Sequence, residues 1–193
     1  MVKSREEKLK FAFIIIFVFV VACIIGWCYE MFFYRIDRGM FIKRGQGIGP
    51  FLPIYGFGAL AIDAVCSKLK KYPALVFFAA VVVTGVIELA VGWALYALGG
   101  GLRLWDYNTE IWNFCNIGGF VCLRSVAVFG FAALFLEYML VPLIKNTVER
   151  LSIKTLAAVT VPIVLVVGTD ILTGYIIKPM MYIFLKGVSQ CIK

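Results

Sequence analysis

The chain has 193 residues, of which 63% are apolar and only 16% charged, with a formal net charge of +8. Soluble domains run near half apolar and a quarter charged, so a water-soluble globule of this composition would leave much apolar surface exposed. The 19 Lys and Arg sit in short clusters flanking apolar runs, the pattern of membrane topology rather than of nucleic-acid binding.

Taken in chain order, the basic stretch Lys3, Arg5, Lys8 and Lys10 precedes an apolar run from Phe11 to Tyr29. The run is too long for a signal peptide and lacks a small-residue cleavage site, so it predicts an uncleaved first helix over 11–32. A polar segment, Arg35 to Gly49, leads to a shorter apolar run that predicts a second helix over 50–66, closed by Lys68, Lys70 and Lys71. A third helix is expected over 74–98, long enough to cross a bilayer. Gly99–Gly101 open a polar loop through Asn116. The fourth helix is expected over 118–144, followed by Lys145, Arg150 and Lys154, and the fifth over 155–177, broken by Lys178–Pro179. The fold class is thus all-α: a single polytopic membrane domain, 1–193, of about five transmembrane helices. A Gly/Pro-rich segment, re-entrant or simply a helix start, precedes the second. No internal repeat stands out.

An N-in arrangement assigns ten basic residues to the inner side: four at the N-terminus, three in 67–73 and three in 145–154. The outer side would hold Arg35, Arg38, Lys43 and Arg44 in the first loop and Arg103 in the third. The expectation is a multi-pass cell-membrane protein with a cytoplasmic N-terminus. The four cations of the first loop run against the rule and call for a compensating partner.

There is no histidine, and none of Cys23, Cys28, Cys66, Cys115, Cys122 and Cys191 forms a CxxC pair. Zinc, haem and His-based catalysis have little to work with, so no cofactor or metal is expected and the thiols read as packing groups.

Ionisable side chains inside a bilayer are costly and usually face the bundle interior or a water-filled cavity. Asp63, Glu88, Arg124, Glu137 and Asp170 lie within apolar runs, with Glu30 at the end of one. At 1.5 Å per residue, Glu88 lies about 21 Å and Asp170 about 22 Å from the inner side, and Arg124 about 9 Å from the outer side. Glu30, Glu88, Arg124 and Asp170 therefore share the outer half of the bundle, and Glu88, Arg124 and at least one of Glu30 and Asp170 are expected to face a common interior cavity. Internal ion pairing that only fixes helix packing is the alternative, and for Asp63 and Glu137, nearer the basic loops, it is the preferred one.

The segment Lys43-Arg44-Gly45-Gln46-Gly47-Ile48-Gly49-Pro50, continuing to Tyr55 and Gly58, combines alternating glycines with prolines suited to a helix start. GK[ST] is absent, so it is no P-loop. Arg44, a helix N-terminus and the Tyr55 hydroxyl suit an anion; Arg44 pairing with Glu30 or Asp106 is the competing reading. Further on, Trp105-Asp106-Tyr107-Asn108 is followed by Asn113, Asn116, Gly119 and Cys122. An interfacial aromatic belt explains Trp105 and Tyr107 but not Asp106 or the asparagines.

These strings (Gly26-Trp27-x-x-Glu30; Arg44-Gly45 leading to Gly49-Pro50-x-x-Pro53-Ile54-Tyr55-Gly56-x-Gly58; Glu88; Trp105-Asp106-Tyr107) resemble a bacterial family of membrane proteins, the CmpB-like type IV ABC-transporter permeases, over about residues 20–145. The chain departs from the family pattern with Lys43 in place of an Asn, with Phe120 in place of an Arg, and with a longer spacing from Trp105 to Gly119. Arg124, one turn on from Phe120, is the candidate replacement for the missing guanidinium.

A transporter or permease component is the leading reading: it moves or binds a small anionic or amphiphilic substrate through Glu30, Arg44, Tyr55, Glu88, Asp106, Asn113, Asn116, Arg124 and Asp170. Nothing in the chain binds ATP, so ATP-driven transport would need a separate ATPase or other membrane subunit, with the lipid bilayer as the constant partner. The alternatives are a membrane-embedded enzyme acting on a lipid or apolar molecule, with Glu30, Glu88 and Asp106 as acid–base groups, and a non-catalytic lipid-binding scaffold.

Overall fold

Each helix start and stop can be traced to local chemistry. In the computed structural model, which describes residues 5–178, 180 and 181, α1 runs Arg5–Arg38. Glu6 and Glu7 in its first turn and Arg35 and Arg38 in its last complement the helix dipole, so it outruns the apolar core on which 11–32 was based. Gly39 follows at φ +73°, the left-handed conformation that stops a helix. Helix α2, Pro53–Cys66, starts at the second proline of the Gly/Pro-rich segment rather than the first. Helix α3 is Pro73–Leu98, again opened by proline. The fourth helix begins later than the apolar run suggests, because Gly118 and Gly119 take positive φ and residues 117–121 close a bridged turn. It spans Leu123–Arg150 as α4, including a π-helical segment at Leu136–Leu140. Ser152 accepts the Thr155 N–H and caps α5, Ile153–Ile177, whose last turns, Leu172–Ile177, are also π-helical. Pro179 and Cys191 lie outside the described residues.

Four of these helices, α1, α3, α4 and α5, are long and apolar enough to cross a membrane. With 14 residues, α2 rises about 21 Å. The 3-10 turn Ser67–Leu69 extends it to about 27 Å, close to the ~30 Å of a hydrocarbon core. Among the described residues there is no strand beyond the one isolated bridge. The chain is a multi-pass, all-α membrane protein.

The described residues divide into two compact units, with boundaries inside α2 and α4. In the first, α1 packs against α5 around Val20, Cys23, Phe51 and Val167, with Ile16, Phe19, Ile163 and Ile171 at the margin. Gly26 of α1 admits the Tyr55 ring: a Cβ there would stand 2.1 Å from the ring. The second unit, Gly58–Leu143, is built on α3 against α4. The buried positions of α3 (Val76, Ala80, Thr84, Glu88 and Gly92) recur every fourth residue as one stripe of mostly small side chains. Such stripes let membrane helices approach closely, since lipid offers no hydrophobic drive between them. Phe78, Val82, Val86 and Trp93 are exposed on the same helix, as a lipid-facing surface requires and a water-facing one does not. Glu88 therefore belongs to the packed face.

Candidate functional site

In the second unit the polar loop is folded by its own side chains and delivers one of them to Glu88. Asp106 accepts the Asn108 N–H (3.0 Å) and Nδ2 (2.8 Å), and so caps the turn Tyr107–Thr109. Asn113 Nδ2 donates to the Tyr107 carbonyl (3.1 Å), Asn116 Nδ2 to Asn108 Oδ1 (3.0 Å), and Asn116 Oδ1 accepts Gly119 N–H (2.8 Å). Trp105 Nε1 donates to the Phe120 carbonyl at 2.9 Å. Gly119, at φ +81°, lies so close to Asp106, Asn108 and Arg103 that a Cβ would come within about 2.5 Å of each. The loop asparagines and Asp106 thus use these hydrogen bonds to shape the turn that aims Tyr107.

Tyr107 Oη donates to Glu88 Oε1 at 2.5 Å, and Ser125 Oγ donates to Oε2 at 2.8 Å. Ser125 is placed by the start of α4, where its hydroxyl also accepts the Cys122 N–H. Both oxygens of a carboxylate that is 6% exposed are therefore met by neutral hydroxyls. Burial, and after it the Glu88 charge, pushes the Tyr107 phenol well above its usual value of 10, so it remains a donor.

Arg124 does not pair directly with Glu88. Near the start of α4 its Nη2 reaches back to Glu110 Oε2 at 2.5 Å, and its guanidinium lies 5.3 Å from the Tyr107 ring centroid. Nor is Arg124 the cation at Phe120. That is Arg103, whose guanidinium is 4.6 Å from the Phe120 ring and 4.9 Å from the Tyr96 ring, with Nη1 donating to the Gly118 carbonyl.

The first unit holds the remaining candidates. Glu30 accepts Arg44 Nε on one oxygen (2.5 Å) and the Tyr55 hydroxyl on the other (3.1 Å), and Arg44 stacks over Tyr34 at 4.1 Å. The competing reading of Arg44, a pair with Glu30, is the arrangement observed. Asp170 of α5 accepts the N–H groups of Ile48 (2.6 Å) and Gly49 (2.7 Å) on Oδ1. The backbone donors of the glycine segment, expected to be open to an anion, thus already hold a carboxylate of the chain itself. Gly47 makes this possible, since a Cβ there would lie 2.0 Å from Asp170 Oδ2.

Glu30 and Asp170 belong to one unit and Glu88 and Arg124 to the other. Ser125, Glu110, Tyr34 and Tyr96 escaped the sequence reading. Ser125 had a signal in its capping spacing after Cys122. Glu110 had one in the charge balance of the loop. Tyr34 had none. The chemistry of both clusters is that of charge compensation: arginines against carboxylates, hydroxyls and aromatic rings. Among the described residues, no group of three His, Cys, Asp or Glu is placed to hold a metal ion.

No curated protein and no solved structure matches the chain. A family profile does: that of the family described as "Putative ABC-transporter type IV" matches residues 17–175, a span containing all nine sequence candidates and both clusters. By that match the chain belongs to this ABC-transporter-like family of membrane proteins.

Proposed function

We propose that the chain is a transporter or permease component of the cell membrane that binds a small anionic or amphiphilic substrate at its arginine–carboxylate clusters. One observation carries this reading: Glu88, buried on a membrane helix, is held by two hydroxyls in a cluster with two arginines, Arg103 of the loop and Arg124 at the start of α4. Ionisable groups kept at membrane depth against their cost mark ligand pathways more often than packing. In this reading a resident carboxylate holds each guanidinium in place when the site is empty, and a substrate anion competes for it. The stacked rings of Tyr34, Tyr96 and Phe120 supply apolar surface for an amphiphile. Energy from ATP would come through a separate ATPase subunit.

Native mass spectrometry of the purified protein tests the binding step. The wild type is expected to carry an acidic adduct that the double variant Arg44→Gln/Arg103→Gln loses. Identical spectra, with both proteins free of adducts or equally loaded, would sink the reading.

The orientation we propose is N-in, with α2 and its 3-10 extension completing a fifth crossing and the Trp105–Asn108 loop outside. In a Cys-free background, an impermeant thiol reagent added to intact cells should label a cysteine at Asn108 and spare one at Ser67. The reverse pattern would mean that the orientation is inverted or that α2 turns back.

A further inference from the structure

A separate trio of ionisable side chains meets in the second unit and shares no residue with either arginine cluster. Glu137 lies in the π-helical segment Leu136–Leu140 of α4, and its side chain is 0% exposed. The Lys70 ammonium is 2.7 Å from Glu137 Oε2. Asp63, from α2, lies close enough to Glu137 to act on its charge, and the buried Cys66 lies one turn further along α2. Glu137 Oε1 and Asp63 Oδ1 are buried and meet no hydrogen-bond donor among the described residues. The remaining polar neighbour is Tyr138, whose hydroxyl donates to the Lys70 carbonyl at 2.7 Å.

Two ionised carboxylates against one ammonium leave a net negative charge on buried oxygens, and two carboxylates in contact do not both stay ionised without further compensation. Lys70 itself is poorly fixed as the compensating charge. It follows the turn Ser67–Leu69, outside the helices, and its side chain is 31% exposed. Tyr138 anchors its backbone, and the side chain that carries the ammonium is partly open to water. Single π-helical turns recur at functional positions, and this one carries Glu137. Carboxylate oxygens are hard ligands suited to protons and alkali cations rather than to soft metals.

We propose that Asp63 and Glu137 form a binding site for one exchangeable monovalent cation, a proton or a sodium ion, for which the Lys70 ammonium competes. The site is independent of the arginine clusters, so its loss would leave the substrate reading intact.

The test uses the full-length protein purified in detergent. It combines equilibrium binding of radioactive sodium at fixed pH with acid–base titration of wild type against variants. If sodium is the ligand, the wild type binds about one ion per chain and the conservative Asp63→Asn abolishes binding. If the proton is the ligand, sodium does not bind and the wild type takes up about one proton more than Asp63→Asn between about pH 9 and pH 6, above the range of an ordinary carboxyl. Lys70→Met reads the competition from the opposite side. Removing one opposing charge at close range is expected to tighten cation binding at least about tenfold, whereas a salt bridge that only holds α4 in place would give no such gain. The proposal is overturned if wild type binds no sodium and takes up no more protons than Asp63→Asn over that pH range, or if Lys70→Met leaves binding unchanged or weaker.

Discussion

Glu110→Ala is expected to destabilise the protein by about 3 kcal/mol, visible as a clear fall of the thermal midpoint in detergent. The Glu110 and Arg124 side chains are 4% and 11% exposed, so their pair is largely withdrawn from water. Deleting one partner of a buried ion pair typically costs 3–5 kcal/mol, because the other charge stays behind uncompensated. The lower end applies here because Glu88 also acts on Arg124 electrostatically. A double variant, Glu110→Ala with Arg124→Leu, should recover much of the loss, since replacing both members of a buried pair with apolar groups is often nearly neutral. Should the single and double variants unfold at the same temperature, the cost lies in loop packing and the pair is not what matters.

The second large effect is expected at Gly47. A methyl group there would collide with the Asp170 carboxylate, at 2.0 Å from Oδ2 and 2.6 Å from Cγ. The Gly47 backbone has little room to yield on the other side: Gly174 of α5 packs so closely on it that its own Cβ would come within 2.6 Å. Gly47→Ala should therefore push Asp170 off the Ile48 and Gly49 N–H groups. Hydrogen bonds to a charged acceptor contribute about 1.5–3 kcal/mol each, so losing two gives about 3–6 kcal/mol. The signature is non-additivity. In an Asp170→Ala background most of the Gly47→Ala cost should vanish, because the carboxylate it displaces is gone. Additive effects of the two substitutions in thermal unfolding would refute the coupling.

Both effects concern residues whose partners are far apart in sequence, and this separates what the sequence determines from what the fold decides. Membrane residence is local information: apolar runs of about 20 residues span a bilayer whatever surrounds them, and the runs at 74–98 and 155–177 come close to α3 and α5. Helix ends were legible where a proline or cap marks them, as at Pro73. They were misread where glycines hold the chain in positive φ inside an apolar stretch, as at Gly118 and Gly119 ahead of α4. Which residues carry polar chemistry was equally legible, because a charge in an apolar run is conspicuous. Pairing was not. Depth arithmetic brought Glu88 and Arg124 to a similar level, but the direction in which a side chain leaves its helix depends on rotation about the helix axis. That rotation is fixed by the stripe Val76–Ala80–Thr84–Glu88–Gly92 packing on α4 and by the fold of the loop. So Glu88 met Tyr107 and Ser125, and Arg124 met Glu110. For the same reason, a glycine segment that reads as an open anion cradle proved to be closed by Asp170, more than a hundred residues away. Composition assigned the solvent and the sequence offered Glu30 as one partner for Arg44, whereas tertiary packing decided the partners of Glu88, Arg124 and Asp170.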